Sequence, residues 1–218
     1  MKITAYPQLY LQPMQDIVAD LFDTAVYEMH LDATEFYDTF AESDVARRIE
    51  NGDTELISEV GDGLSAAELA GQIMAGRPRR PGQIPIRYTT GNSPEYWAGM
   101  MLCYYQWVTC LSFAEISSFL SFEYVLGMHE SYRRRAPEDF ANELNALYRG
   151  AKRDTNLASL RRAAGLSQAK LAAAADIPVR TLQQYEQRQK DINKAQAEYI
   201  FRLARVLGCQ MEDLIELV

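Results

Sequence analysis

With 218 residues, 48% apolar and 24% charged, the chain has the composition of an ordinary globular protein, long enough for one large domain or two smaller ones. Its formal charge of −8 would repel DNA if evenly spread, but residues 1–149 hold 11 Lys/Arg against 22 Asp/Glu, a balance of −11, while residues 150–218 hold 11 against 8, a balance of +3. Screening acts over about 8 Å in cells, so a phosphate feels the nearest face and the acidic total is no veto on DNA binding. The asymmetry points to two modules with different partners: an acidic, mostly helical domain over 1–150 and a second domain over 154–218.

The opening "MKITAYPQ" has one lysine and no apolar core, so it does not read as a signal peptide. Pro13 is placed to open a helix in which Ile17, Leu21 and Ala25 recur at four-residue spacing, with Val18 and Phe22 beside them. Further helices are predicted from Asp32 through Phe40, from Ser43 to Glu50 where "NGD" stops it, and over "DTELISEV". In "LSAAELAGQIMA", Ser65 is the cap, with Glu68 three residues on. The stretch "GRPRRPGQIPIRYTTGN", with three prolines and three glycines, cannot continue a helix and reads as a long loop with one extended piece at Ile84–Thr89.

Ser93-Pro94 restarts a helix that runs into "YWAGMMLCYYQWVTCLSFA", 19 residues without a charge from Tyr96 to Ala114. That is the length of a membrane span, but Gln106, Thr109, Ser112 and Gly99 interrupt it and its aromatics lie throughout rather than at the ends. The run reads as a buried central helix. Its aromatics all round the helix are core by default, a ligand cage being the alternative. Three cysteines at 103, 110 and 209 form no disulfide framework and fit a reducing cytoplasm. On one helix, Cys103 and Cys110 would stand roughly 10 Å apart, too far to bridge, and read as two small buried residues. Shorter helices are expected over roughly 112–120, 122–132 and 136–150. Arg133-Arg134-Arg135 is either a solvated helix end or an extra phosphate contact.

From Asp154 the pattern changes to five short helices joined by tight turns. Thr155 or Asp154 caps "NLASLRRAA", ended by Gly165; Ser167 caps "QAKLAAAA"; "DIP" turns the chain into "VRTLQQYEQ". Asn193 with Gln196 offers an N-x-x-Q capping box for "KAQAEYIFRLARVL", Gly208 terminates that helix, and "MEDLIEL" supplies the last. The expected core is Leu157, Leu160, Leu166, Leu171, Ala175, Ile177, Leu182, Tyr185, Ile200, Leu203, Leu207 and Leu214.

"LRRAAGLSQAKLAAAADIPVRTLQQYEQ", followed by "RLARVLG" and "MEDLIE", resembles the helix-turn-helix of the Cro/repressor (XRE) family over about residues 154–218. The resemblance implies an all-α fold: a five-helix, lambda-repressor-like domain following the N-terminal helical domain. It implies double-stranded DNA as partner, a homodimer, and no cofactor. In such motifs the second helix enters the major groove. Leu182 and Tyr185 must face the core, which turns Arg180, Gln183 and Gln184 outward as one patch. Arg suits guanine and Gln suits adenine, and Val179 suits a thymine methyl. Gln168 stands where the family places a glutamine on phosphate, and Thr181, Arg188, Lys190, Asn193 and Lys194 are the other backbone candidates. Arg161 and Glu186 match a family pair that ties the first helix to the third. Asp176 replaces a glycine common in the turn, and Pro178 replaces a serine cap.

The first 150 residues carry no G-x-S-x-G, phosphate loop, H-E-x-x-H or C-x-x-C, and their two histidines, His30 and His129, read as structural or surface groups rather than metal ligands. No enzyme is expected. "SPEYWAG…YYQW" is similar to the N-terminal part of bacterial regulators associated with operons encoding ADP-ribosyltransferase-like proteins, which implies a protein partner, as for an antitoxin. No membrane association is expected, and the protein is placed in the cytoplasm.

Overall fold

The structure, a computed structural model, describes residues 4–77, 93–151 and 154–216. Thirteen α-helices and no strand occur among them, and the chain divides into two compact units, Met1–Leu147 and Tyr148–Val218. The expected loop over 76–92, with its extended piece, lies largely outside the described residues.

Short polar side chains start most helices of the first unit. Asp32 accepts the Glu35 N–H ahead of α2 (Ala33–Ala41), and Ser43 the Ala46 N–H ahead of α3 (Asp44–Glu50). Asp53 caps α4 (Thr54–Gly61), and Ser65 and Glu68 form a full capping box on α5 (Ala66–Ile73). Ser93 caps α6 (Pro94–Thr109), Ser112 with Glu115 boxes α7 (Phe113–Phe119), and Ser121 caps α8 (Phe122–Tyr132); α9 is Pro137–Ala151. The first helix, α1 (Leu11–Tyr27), differs from expectation. It begins two residues before Pro13, continuing a 3-10 turn at Gln8–Tyr10. Pro13 sits inside its first turn, where backbone N–H groups have no helical partner to lose.

Helices α1 and α6 form the central pair, with α2, α4 and α5 around α1 and α8 on α6. A Cβ built on Gly99 would meet the Val18 carbonyl oxygen at 2.8 Å, so the two backbones approach as only glycine permits. Phe22 gathers Phe36, Phe40 and the stacked Phe122 at ring separations of 5.2, 5.4 and 4.9 Å. Trp97, Tyr104, Tyr105 and Trp107 are buried all round α6, which is core packing. No helix among the described residues is long and apolar enough to cross a membrane.

The uncharged run does not stay helical to its end. Cys110 takes a left-handed conformation (φ 56°) as the C-cap of α6, so it shares no helix face with Cys103 and is only half-buried. Cys103 is fully buried against the Tyr6 hydroxyl, and burial pushes its thiol up to about 12. His30 is exposed, whereas His129 packs edge-on to Trp97 at 5.3 Å. Of the three arginines closing α8, Arg133 pairs with Glu130 and Arg135 lies over the Tyr132 ring.

The second unit holds α10 (Asn156–Ala163), α11 (Gln168–Ala174), α12 (Val179–Glu186) and α13 (Ala197–Leu207). Thr155 and Ser167 cap the first two, and Gly165 and Gly208 adopt left-handed conformations after α10 and α13. All twelve expected core residues pack into one cluster, nine buried and Leu160, Leu166 and Leu207 partly so, joined by Ala172, Ile192 and Ala204. The fifth expected helix is a single 3-10 turn, Glu212–Leu214. The N-x-x-Q box does not form. Residues Ile192–Lys194 make a separate 3-10 turn around buried Ile192, α13 starts only at Ala197, and Gln196 makes no side-chain cap bond.

Candidate nucleic-acid interface

Helix α12 is held by its inner face. Leu182 is fully buried and Tyr185 nearly so, while Arg180 is exposed and Gln183 and Gln184 are half-buried on the other side. Val179, the first helical residue, is 42% exposed, an apolar side chain facing water at the leading end. Because Pro178 serves as N-cap without a side-chain bond, α12 begins at Val179 and Arg180 falls in its first turn.

A chain of polar contacts fixes α12 against its neighbours. Arg161 on α10 grips Glu186 through two bonds, Nε to Oε1 at 2.6 Å and Nη2 to Oε2 at 3.0 Å, and donates a third to the Leu166 carbonyl at 2.7 Å. That geometry raises the Arg161 pKa further, the Glu186 bond outweighing the opposing effect of burial. Glu186 Oε2 also accepts from Gln168 Nε2 at 2.8 Å, and Gln168 Oε1 accepts from Gln183 Nε2 at 3.4 Å. Gln168 is the first residue of α11, so this contact joins the two helices of the motif and sets the direction of the Gln183 amide.

The turn between those helices is also clamped. Asp176 takes φ 52°, a left-handed conformation that Asp tolerates better than most residues. Arg202 on α13 donates to its carboxylate at 2.8 Å and its carbonyl at 3.1 Å. Arg202 was not among the sequence candidates, since nothing local relates it to a residue 26 positions earlier.

The backbone candidates divide. Thr181, Lys190 and Lys194 line one open concavity beside Tyr185 and Tyr199, with both lysines exposed; Lys194 lies 3.5 Å from Asp191. Arg188 and Asn193 turn elsewhere. Arg188, at φ 53°, is 3.6 Å from the Glu216 carboxylate and bonds the Asp154 carbonyl. Asn193 bonds both the N–H and the carbonyl of Glu216, and the Glu216 carboxylate accepts the first N–H of α10 at 2.5 Å. Both residues thus tie the loop after α12 to the C-terminal segment. Among the described residues no group of three or more His, Cys, Asp or Glu is arranged to hold a metal.

Two short helices, α11 and α12, join through a left-handed turn at Asp176, and the second carries Arg180, Gln183 and Gln184 on the face away from Leu182 and Tyr185. Residues 157–214 match the helix-turn-helix family. This is a DNA-binding regulator domain of the XRE type, and the match lies wholly within the second unit. No curated protein and no solved structure matches the chain.

Proposed function

We propose that the chain is a sequence-specific transcriptional regulator that reads the major groove with α12, as a homodimer on an inverted repeat whose half-sites lie about one helical turn apart. The observation that carries the reading is the outward face of α12, with Gln183 pre-oriented by Gln168. In this reading Val179, Arg180, Gln183 and Gln184 meet base edges, each good bidentate pair contributing about 1–3 kcal/mol of discrimination. Gln168, Thr181, Lys190 and Lys194 follow the phosphates, and Arg188 and Asn193 shape the loop that presents them. The chain acts in the cytoplasm without enzymatic activity or cofactor.

Selection of random duplexes by the full chain at two salt concentrations tests this, with enrichment of an inverted repeat expected at both. Arg180→Ala and Gln183→Ala relax preference at particular base positions. Lys190→Ala weakens all sequences alike and lowers the salt slope by about one unit. Identical behaviour of all three variants would sink the assignment of the reading face.

A second reading is supported by the balance of −11 over residues 1–149. Such a surface complements a basic protein, and an antitoxin-like regulator would bind its partner there while controlling its own operon. Isolation from a native strain without any co-purifying protein would count against it.

A further inference from the structure

Helix α13 has three sides. Ile200, Leu203 and Ala204 are buried in the core of the second unit. On a second side, Tyr199 lines the concavity that holds Lys190 and Lys194, and Arg202 clamps the Asp176 turn. The third side faces neither. Glu198, Phe201, Arg205 and Gly208 are all exposed, and at roughly 100° per residue Phe201 and Arg205 stand about 200° and 240° round the helix from Tyr199. Their spacing alternates three and four residues, as in the seam between two packed helices.

This side is short of partners. Phe201 is 53% exposed, and its ring meets no other ring and no cation among the described residues. A lone exposed aromatic is commonplace, but its neighbours along the stripe are unsatisfied too. Arg161, Arg162, Arg188 and Arg202 each meet a carboxylate, whereas Arg205, one turn beyond Phe201, meets none among the described residues. Glu198, one turn before Phe201, gives Oε1 to Arg202 and leaves Oε2 for a second cation. The stripe therefore runs acid, aromatic, base along the helix. Laid antiparallel on a copy of itself, with the two Phe201 rings at the twofold axis, it sets Glu198 of each copy opposite Arg205 of the other. Those positions lie three residues before and four after the ring, so they match to within about 1.5 Å along the helix. Such an order complements itself under twofold rotation, which is what an interface between identical chains requires. A DNA phosphate suits it poorly, since the stripe carries a carboxylate and turns away from Lys190 and Lys194.

We propose that the outer side of α13 is the surface on which two copies of this chain pair, antiparallel, with Phe201 against Phe201 and a Glu198–Arg205 ion pair at each end. The proposal rests on the homodimer reading above and names its surface. One helix pair buries less than the roughly 1,200 Å² of lasting complexes, so the dimer is weak and builds up with concentration. Sedimentation equilibrium of the full chain without DNA measures it, and a monomer–dimer equilibrium is expected for the parent. Phe201→Glu sets like charges across the axis and weakens association about tenfold or more, as does Arg205→Glu. Adding Glu198→Arg to Arg205→Glu restores association to within about threefold of the parent, because the reversed stripe again complements itself. All three side chains are exposed, so each variant keeps the parent's helical circular dichroism. The proposal is overturned if the parent stays monomeric at the highest concentration, if Phe201→Glu associates as the parent does, or if the double variant associates no better than Arg205→Glu. The reading of α12 fails separately. A parent that pairs through Phe201 but enriches no inverted repeat refutes that reading and upholds this surface, whereas a repeat enriched by a chain whose association ignores Phe201 does the reverse.

Discussion

Glu186→Ala puts the polar chain behind α12 under direct strain. The Arg161 and Glu186 side chains are only 10% and 5% exposed. Removing Glu186 leaves a buried guanidinium with the Leu166 carbonyl alone and takes the acceptor from Gln168. Breaking one side of a buried pair costs about 3–5 kcal/mol and losing the further bond about 1, a total of about 4–6 kcal/mol. Small domains are stable by about 5–15 kcal/mol, so most of the margin of the second unit goes. Tryptophan fluorescence will not see this, because both tryptophans, Trp97 and Trp107, lie in the first unit. Hydrogen exchange over residues 157–214 will, as lost protection confined to that unit. Arg161→Met combined with Glu186→Leu recovers much of the loss, since no charge is left unpaired. A single variant within about 1 kcal/mol of the parent, or a double variant less stable than the single, would refute the reasoning.

Gly99→Ala places a methyl group against the Val18 carbonyl and lowers stability by about 1–2 kcal/mol in chemical denaturation, despite alanine's better helix propensity. Gly71→Ala, inside α5 with nothing within 4 Å, is the matched control and gains about 0.5–1 kcal/mol. Asn193→Ala loses two bonds to the Glu216 backbone and costs about 1–2 kcal/mol, read as faster exchange in the C-terminal turn rather than as a change in base preference. Burial holds the His129 pKa below 6.5, with nearby Arg133 adding to the depression and Glu130 and Glu95 opposing it. The unfolded chain therefore takes up that proton first as pH falls. Stability of the first unit drops as pH goes from 6.5 down through the lowered value and then levels, and His129→Phe removes that component of a Trp97-monitored titration.

What the sequence determined by itself was local. Asp32, Ser43, Ser65, Ser93, Thr155 and Ser167 each accept the N–H three positions into the helix they precede, so the capping residue and the helix start are one fact. The outward set on α12 followed in the same way, because Leu182 and Tyr185 fix the phase of a helix whose geometry is known in advance.

Only the tertiary structure decided which of several local options a side chain took. Asn193 and Gln196 have capping-box spacing, yet the Asn193 side chain is taken by Glu216, 23 residues away, and the helix starts later. Arg188 reads as a free cation after α12 until Glu216 is brought beside it. Gly99 reads as an interruption in an apolar run until α1 is laid against it, and Gln106 as an ordinary amide until its oxygen is enclosed without a partner among the described residues. In each case the deciding group lies many residues away along the chain. Capping and periodicity act within a turn or two, whereas the partner of a long polar side chain is set by where the helices pack.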